Sequence, residues 1–358
     1  MAIHFHKLSI KNIKKETEDC VSIAFDIPAE LEKDFLFKQG QNITIKFKTG
    51  EEEIRRSYSI CSSPRENELR IAVKKVFNGA FSGFANSQLT TGDVLEMLPP
   101  TGTFFTEVNA ANKKEYVFFA AGSGITPVIS IIKTILNTEP ESSVTLIYGN
   151  RTVSSIIFKE NLEALKDKHL QHFRVYYVLS RERTEADINY GRIDAEKCKH
   201  LSKLINFNSA DEFFICGPEQ MIFTVKQFLE NTGIDKNKIH FELFTTPTRK
   251  NTKVFTTIQP PSEEGSAVTV KLDGRSFDFK LDYNSNNILD AALAQGADLP
   301  FACKGGVCTT CKAKLVEGEI EMEVNYGLEP DEVKAGFILT CQSHPKSKKV
   351  VVDFDMKS

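Results

Sequence analysis

The sequence predicts a multidomain chain. A small antiparallel β-barrel comes first, then a doubly wound α/β domain on a parallel sheet, then a compact C-terminal β domain. Three observations carry this reading. From His4 to Asn109 short strand-like runs alternate with turn signals, from Glu115 strands alternate with helices, and from Ala267 a hairpin signal leads into a loop crowded with cysteines. The 358 residues are 41% hydrophobic and 26% charged, ordinary for a chain able to bury two or three cores. A net charge of −3 leaves no electrostatic footprint for nucleic acid. The N-terminus has no signal-peptide core and no apolar run reaches bilayer length, so no membrane partner is expected.

The barrel is assigned to 1–109, with strands at Cys20–Ile27, Asn42–Phe47, Ile54–Ile60, Glu68–Val73 and Asp93–Leu98. Arg56-Ser57-Tyr58-Ser59 ends one of them, and the period of two sets Arg56 and Tyr58 on one face and Ser57 and Ser59 on the other. A guanidinium for pyrophosphate, a phenol ring for a flat heterocycle and a hydroxyl for its polar edge suit a flavin. Taken alone, the same tetrapeptide is equally a plain surface strand. Lys74-Lys75-Val76-Phe77-Asn78-Gly79-Ala80-Phe81-Ser82 adds a tight turn and a helix start able to hold phosphate on backbone N–H groups.

The α/β domain is assigned to 110–245. Strands Tyr116–Ala121, Val144–Tyr148, Arg174–Leu179, Glu212–Cys216 and Ile239–Phe244 alternate with helices Pro127–Leu136, Ile156–Leu165, Ala195–Leu204 and Glu219–Glu230. Gly122-Ser123-Gly124-Ile125-Thr126-Pro127 follows a buried strand. Its glycines let a diphosphate approach the backbone at the positive end of a helix, with Thr126 expected as N-cap and Pro127 as first helical residue. Arg151 and Arg181 follow later strands, where ligands sit in open α/β sheets, and suit a 2′-phosphate unless both are merely solvated. Cys216-Gly217-Pro218 ends another strand with a thiol at the sheet's edge, which by itself is also consistent with an inert buried cysteine.

An interdomain linker is assigned to 246–265, with a short extended piece at Val254–Ile258, and the third domain to 266–358. A hairpin around Asp273-Gly274 and a helix at Ile288–Gln295 precede Cys303, Cys308 and Cys311, and Cys341 follows at a distance. C-x4-C-x2-C with a remote fourth cysteine is the spacing of a plant-type [2Fe–2S] cluster. Each of two tetrahedral irons shares two sulfides and needs two thiolates, and Gly305 and Gly306 let the loop fold close around them. Zinc is the competing reading, but its sites usually show two paired C-x2-C units or mixed Cys and His. Cys20, Cys61, Cys198 and Cys216 form no disulfide framework, which with the cluster points to a cytoplasmic setting. Glu317, Glu319, Glu321 and Glu323 alternate along one expected strand face. This is either a solvated edge guarded by charge or an acidic surface steering a basic partner.

Together, Arg56-Ser57-Tyr58-Ser59, Gly122-x-Gly124-x-x-Pro127, Cys216-Gly217-Pro218 and the cysteine cluster resemble, in that order over nearly the whole chain, the ferredoxin-NADP⁺ reductase superfamily fused to a C-terminal plant-type ferredoxin. Ala72-Val73-Lys74-Lys75, Phe81-Ser82-Gly83-Phe84-Ala85-Asn86 and Phe241-Glu242-Leu243-Phe244 are most similar to the branch of reductase components that serve phenylacetyl-CoA epoxidases. The resemblance implies a β-grasp ferredoxin domain, FAD rather than FMN, and NADPH. It implies that Arg56, Tyr58 and Ser59 contact the flavin ring and phosphate, while Val73, Lys74, Phe81 and Ser82 help to hold the rest of the FAD. Gly122, Gly124, Thr126 and Pro127 would cradle the dinucleotide, Arg151 and Arg181 its 2′-phosphate. Cys216, with Gly217 and Pro218, would lie beside the nicotinamide, so that Ser59 and Cys216 are the catalytic pair.

One departure is Asn78-Gly79 where the family commonly has two glycines, and Asn tolerates the left-handed region best after Gly. The flavin is needed because a reduced nicotinamide gives two electrons while a cluster takes one. The resemblance further implies a partner oxygenase, di-iron and multi-subunit on this branch, in aerobic phenylacetate breakdown. Two other readings stay open: a reductase for a steroid or aromatic-ring hydroxylase, and a redox-sensing module without turnover.

Overall fold

The computed structural model describes residues 4–50, 52–244, 265–283 and 285–356. The expected linker, with its extended piece at Val254–Ile258, lies outside the described residues except for Gly265. The first unit contains β1 (His6–Thr17), β2 (Cys20–Asp26), β3 (Asn42–Thr49), β4 (Glu52–Ser59), β5 (Leu69–Lys74), the helix α1 (Ala80–Ser87) and β6 (Val94–Thr101). All pairings are antiparallel, in the order β4-β3-β6-β1-β2-β5. The two ends meet where Ile60 bridges Ile71 and the Cys61 N–H donates to the Arg70 carbonyl at 2.8 Å, so the sheet closes as a barrel. Alternating side chains such as Leu8, Ile10, Ile23, Ile43, Ile45 and Ile71 fill it.

The second unit contains β7 (Glu115–Ala121), α2 (Ile125–Thr138), β8 (Ser143–Asn150), α3 (Lys159–Lys168), β9 (Phe173–Leu179), α4 (Ala195–Leu201), β10 (Glu212–Cys216), α5 (Glu219–Asn231) and β11 (Ile239–Glu242). The strands are all parallel, in the order β11-β10-β7-β8-β9. Helices α2 and α3 pack on one face, α4 and α5 on the other, giving two apolar layers. The chain reverses direction across the sheet between β7 and β10, so the loops after these strands flank a crevice.

Two expected helix starts move. α2 begins at Ile125 with Gly124 as its N-cap, so Thr126 is not the cap. The Thr126 hydroxyl instead donates to the Ser123 carbonyl at 3.0 Å. Pro127 then sits third in the helix, where its missing N–H is still not needed. α3 begins at Lys159 rather than Ile156. Ile156, Ile157 and Phe158 plug the core, and Phe158 turns the chain at φ 60°.

The third unit contains β12 (Gly265–Leu272), β13 (Arg275–Asp282), α6 (Ile288–Ala294), β14 (Lys312–Glu317), β15 (Ile320–Met322), α7 (Pro330–Lys334), β16 (Phe337–Leu339), β17 (Ser343–Pro345) and β18 (Lys349–Asp353). A mixed sheet in the order β13-β12-β18-β14-β16 buries α6 through Ile288, Leu289 and Ala292, a β-grasp arrangement. The expected single carboxylate strand is two strands. Gly318, at φ 91° and with no room for a Cβ against Lys349 and Ser347, breaks the chain after Glu317. Among the described residues no helix is long and apolar enough to cross a membrane.

Candidate functional site

The crevice between β7 and β10 opens into a cleft of about 740 Å³. Gly122 takes φ 54°, which favours glycine, and its carbonyl accepts a 2.9 Å hydrogen bond from Tyr148. A Cβ on Gly124 would run into the backbone of Cys216 and Gly217, so the two glycine motifs read from the sequence are in direct contact. Gly217 and Pro218 line the cleft with Gly122, Arg151 and Lys74, the last from the end of barrel strand β5. Arg181 is not among the lining residues, although its N–H donates to the Arg151 carbonyl at 2.9 Å. Arg192 and Asn150, which no sequence motif marks, do line it. Asn150 is only 9% exposed, and its side-chain amide nitrogen has no hydrogen-bond partner among the described residues. A buried donor left unpaired beside a roomy cleft fits a ligand that brings acceptors, such as a dinucleotide.

Ser59 ends β4, and its hydroxyl donates to Glu242 Oε2 at 3.1 Å. Glu242 ends β11 and pairs in register with Cys216 on the neighbouring strand. Burial pushes the Glu242 carboxyl up to about 8, partly offset by the Ser59 hydrogen bond. The Cys216 thiol is fully buried and held well above its ordinary value by desolvation and by Glu242. The residues expected to be catalytic thus meet through a third to which the sequence pattern gives no role. Its one signal is membership of the Phe241-Glu242-Leu243-Phe244 run that the family resemblance already marks.

On the other face of β4, Tyr58 is half-buried with its ring 5.4 Å from that of Phe81, while Arg56 is exposed. Val73 and Phe81 are core side chains, 0% and 2% exposed, so only their backbone is available to a ligand. The turn before α1 is built as its sequence suggests. Asn78 adopts φ 54°, Gly79 has no room for a Cβ against Ser82 and Val76, and the Ser82 hydroxyl accepts from the Val76 N–H at 3.2 Å. These features leave an ordered backbone at a helix start and fit a flavin phosphate.

The four cysteines of the third unit converge. Cys303 and Cys308 have sulfurs 3.2 Å apart, and the Gly305 N–H donates to Cys303 Sγ at 3.3 Å. Cys341 is brought to Cys311 by β14 pairing with β16 and by the Thr340 N–H and hydroxyl, which donate to the Cys311 carbonyl at 3.2 and 3.0 Å. Gln342 ties the two arms, donating to the Lys304 carbonyl at 3.1 Å. Gly306, at φ 74°, would push a Cβ to 2.9 Å from the Val324 carbonyl. Hydrogen bonds from Cys308 and Cys341 hold the Cys303 thiol low, while the Cys308 and Cys341 thiols are held high. Four thiols with a backbone donor on a sulfur fit two irons at two thiolates each. Among the described residues no three His, Cys, Asp or Glu side chains are arranged around a single ion.

Three family models match in order: the oxidoreductase FAD-binding domain over 7–106, the oxidoreductase NAD-binding domain over 118–227 and the 2Fe-2S iron-sulfur cluster binding domain over 270–346. Fold and site therefore define an NAD(P)H oxidoreductase that carries FAD and a [2Fe–2S] cluster. The chain belongs to the ferredoxin-NADP⁺ reductase family, in its form fused to a ferredoxin domain. Over 354 residues it is 46% identical to a component of the 1,2-phenylacetyl-CoA epoxidase of Escherichia coli, covering 99% of this chain and 98% of that protein. It is 32% identical to the ferredoxin reductase component of 3-ketosteroid-9-alpha-monooxygenase of Rhodococcus rhodochrous, covering 97% and 96%. Phthalate dioxygenase reductase shares its fold, with a TM-score of 0.57 at 24% identity over 98% of each chain.

Proposed function

We propose that this reductase takes electrons from NADPH and delivers them to the di-iron, multi-subunit oxygenase of a phenylacetyl-CoA epoxidase in the cytoplasm. The observation that carries the choice of partner is the 46% identity to an epoxidase component, spread over 99% of the chain. Eight free cysteines and an iron–sulfur loop suit a reducing compartment. When bound, FAD supplies the conversion of a two-electron donor into single electrons that a cluster can accept.

The chain's own residues supply position and charge. Arg56 and the turn from Asn78 to Ser82 would hold the FAD phosphates, and Tyr58 would offer its ring to the flavin. Lys74 joins this site to the dinucleotide cleft, which it also lines. Gly122, Gly124, Thr126 and Pro127 shape the loop that receives the dinucleotide. Arg151 and Arg192 line the cleft and favour a 2′-phosphate, with Arg181 on the adjoining backbone. Ser59, Glu242 and, through its backbone, Cys216 would stand beside the reacting rings. Ser59 donates a hydrogen bond, Glu242 holds or releases a proton, and Cys216 packs close without ionising. Cys303, Cys308, Cys311 and Cys341 would hold the cluster that passes electrons on to the acceptor.

The test is reconstitution. Purified reductase, NADPH and the oxygenase components of the epoxidase should convert phenylacetyl-CoA with coupled NADPH oxidation. The 32% identity to a ketosteroid monooxygenase reductase favours a steroid hydroxylase as the second reading. Turnover with that oxygenase and not with the epoxidase would select it. A sensor without turnover would fail to oxidise NADPH steadily with any artificial acceptor.

A further inference from the structure

Arg55, on the strand that carries the flavin residues, reaches the ferredoxin unit by three kinds of contact. It is 7% exposed, and its Nη1 donates to the Leu299 carbonyl at 3.0 Å and its Nη2 to Asp298 Oδ1 at 3.2 Å. Its Nε donates to Glu53 at 2.9 Å, which aims the fork. The guanidinium also contacts two rings, with Phe301 at 4.2 Å and Phe5 at 4.8 Å. Asp298 is 87% exposed, so the ion pair by itself contributes little. The buried fork on a backbone carbonyl, held by aromatic faces, is the strong part. Leu299 and Phe301 run directly into Cys303.

A second contact lies on the neighbouring strand. Thr44, opposite Ser57 in β3, has its hydroxyl 3.1 Å from that of Ser57 and 3.4 Å from that of Thr310, the residue before Cys311. Both arms of the cysteine loop therefore touch the strand pair that carries Arg56, Tyr58 and Ser59.

We infer that Arg55 is a positioning residue that locks the ferredoxin unit, and with it the cluster loop, at a set separation from the flavin site. The step it governs makes and breaks no bond: one electron at a time leaves the reduced flavin, which NAD(P)H has reduced, and the cluster irons are reduced by one. The inference rests on the electron route proposed above, but its scattering test does not depend on that route.

Arg55→Met keeps the aliphatic stem and removes the fork, and Arg55→Lys keeps the charge without the fork. In the Met variant of the holoprotein, flavin bleaching on mixing with reduced nicotinamide should match wild type, while cluster bleaching slows about tenfold or more. The Lys variant should fall between them. Small-angle scattering should show a longer maximum dimension for the Met variant. Wild-type cluster bleaching with a wild-type scattering profile would overturn the assignment. Equal slowing of flavin and cluster would also overturn it, by making Arg55 a residue of the barrel alone. If Arg55→Met does not fold, Asp298→Ala with Phe301→Leu removes the carboxylate and the ring that hold the guanidinium from the ferredoxin side, leaving its bond to the Leu299 carbonyl without support. The same split is then expected, and wild-type behaviour refutes the lock.

Discussion

Ser59 donates a 3.1 Å hydrogen bond to Glu242, joining the end of a barrel strand to the end of the last strand of the nucleotide sheet. Burial outweighs that bond and lifts the carboxyl to about 8. In the unfolded chain the same group titrates in the ordinary carboxylate range. Between the two values the folded protein keeps a proton that the unfolded chain has released, so this group makes stability fall as pH rises. Above about pH 8 the penalty is complete. Glu242→Gln should flatten that decline, and denaturant unfolding of both proteins across the window measures it. A slope unchanged by the substitution would show that Glu242 titrates normally.

Glu212 has the opposite sign. Burial raises its pKa, but hydrogen bonds with His240, Lys114 and Thr106 outweigh burial and bring it to about 2. Lys114 Nζ lies 2.6 Å from the carboxylate, the Thr106 hydroxyl 3.0 Å and His240 Nε2 3.5 Å. The folded state therefore releases a proton that the unfolded state still holds, and the stabilisation is present above the unfolded value and lost as pH falls towards 2. Glu212→Gln should cost about 2–3 kcal/mol near neutrality and much less in acid. Thermal unfolding at the two pH values checks it.

Local pattern makes the strands, the parallel-sheet rhythm and the cysteine set legible, because each rests on spacing within a few residues or on a ligand count. What stays hidden joins residues far apart in the chain. Ser59 and Glu242 lie 183 residues apart, and Arg55 and Asp298 lie 243 apart. No periodicity encodes such a meeting. The start of α2 differs from expectation for a local reason, since Thr126 is a good cap by type but the glycine turn before it takes that role. Arg151 and Arg181 stand out as residues following strands, yet Arg192, which follows no strand, lines the cleft and Arg181 does not.

Cys308→Ala should lose the cluster and keep the flavin, because Cys308 lies in the third unit, outside the barrel and its phosphate turn. Wild-type protein should hold about two irons per chain. Iron analysis and the visible spectrum decide it. Stoichiometric zinc in protein prepared without oxygen would refute the cluster.

Arg151→Ala and Arg192→Ala should each lower the preference for NADPH over NADH about tenfold or more, since a charge-assisted hydrogen bond contributes roughly 1.5–3 kcal/mol. Arg181→Ala should change it less, because its side chain is not among those lining the cleft. The ratio of kcat/KM values for the two nucleotides is the measurement. A larger loss at Arg181 than at Arg192 would reverse the assignment.

The carboxylates at Glu317, Glu319, Glu321 and Glu323 are one candidate for steering a basic partner. The structure divides them between β14, the loop after Gly318, β15 and the residue after it, and it sets basic side chains beside three of them. Glu317 pairs with Lys349 at 2.8 Å, Glu321 with Lys346 at 2.6 Å and Glu323 with His344 at 3.3 Å. Lys346 lowers the pKa of Glu321, and each of these pairs sets a basic side chain within the acidic row. Exposed pairs of this kind contribute little stability, and a patch of interleaved signs has little reach beyond a Debye length. Changing Glu317 and Glu321 together with their partners Lys349 and Lys346 to Gln removes both signs at once and should therefore leave the salt slope of electron transfer to the oxygenase unchanged. The rate is followed at low and high ionic strength for both proteins. A slope flattened by the substitutions would restore the carboxylates as a docking surface and show that the lysines do not cancel them.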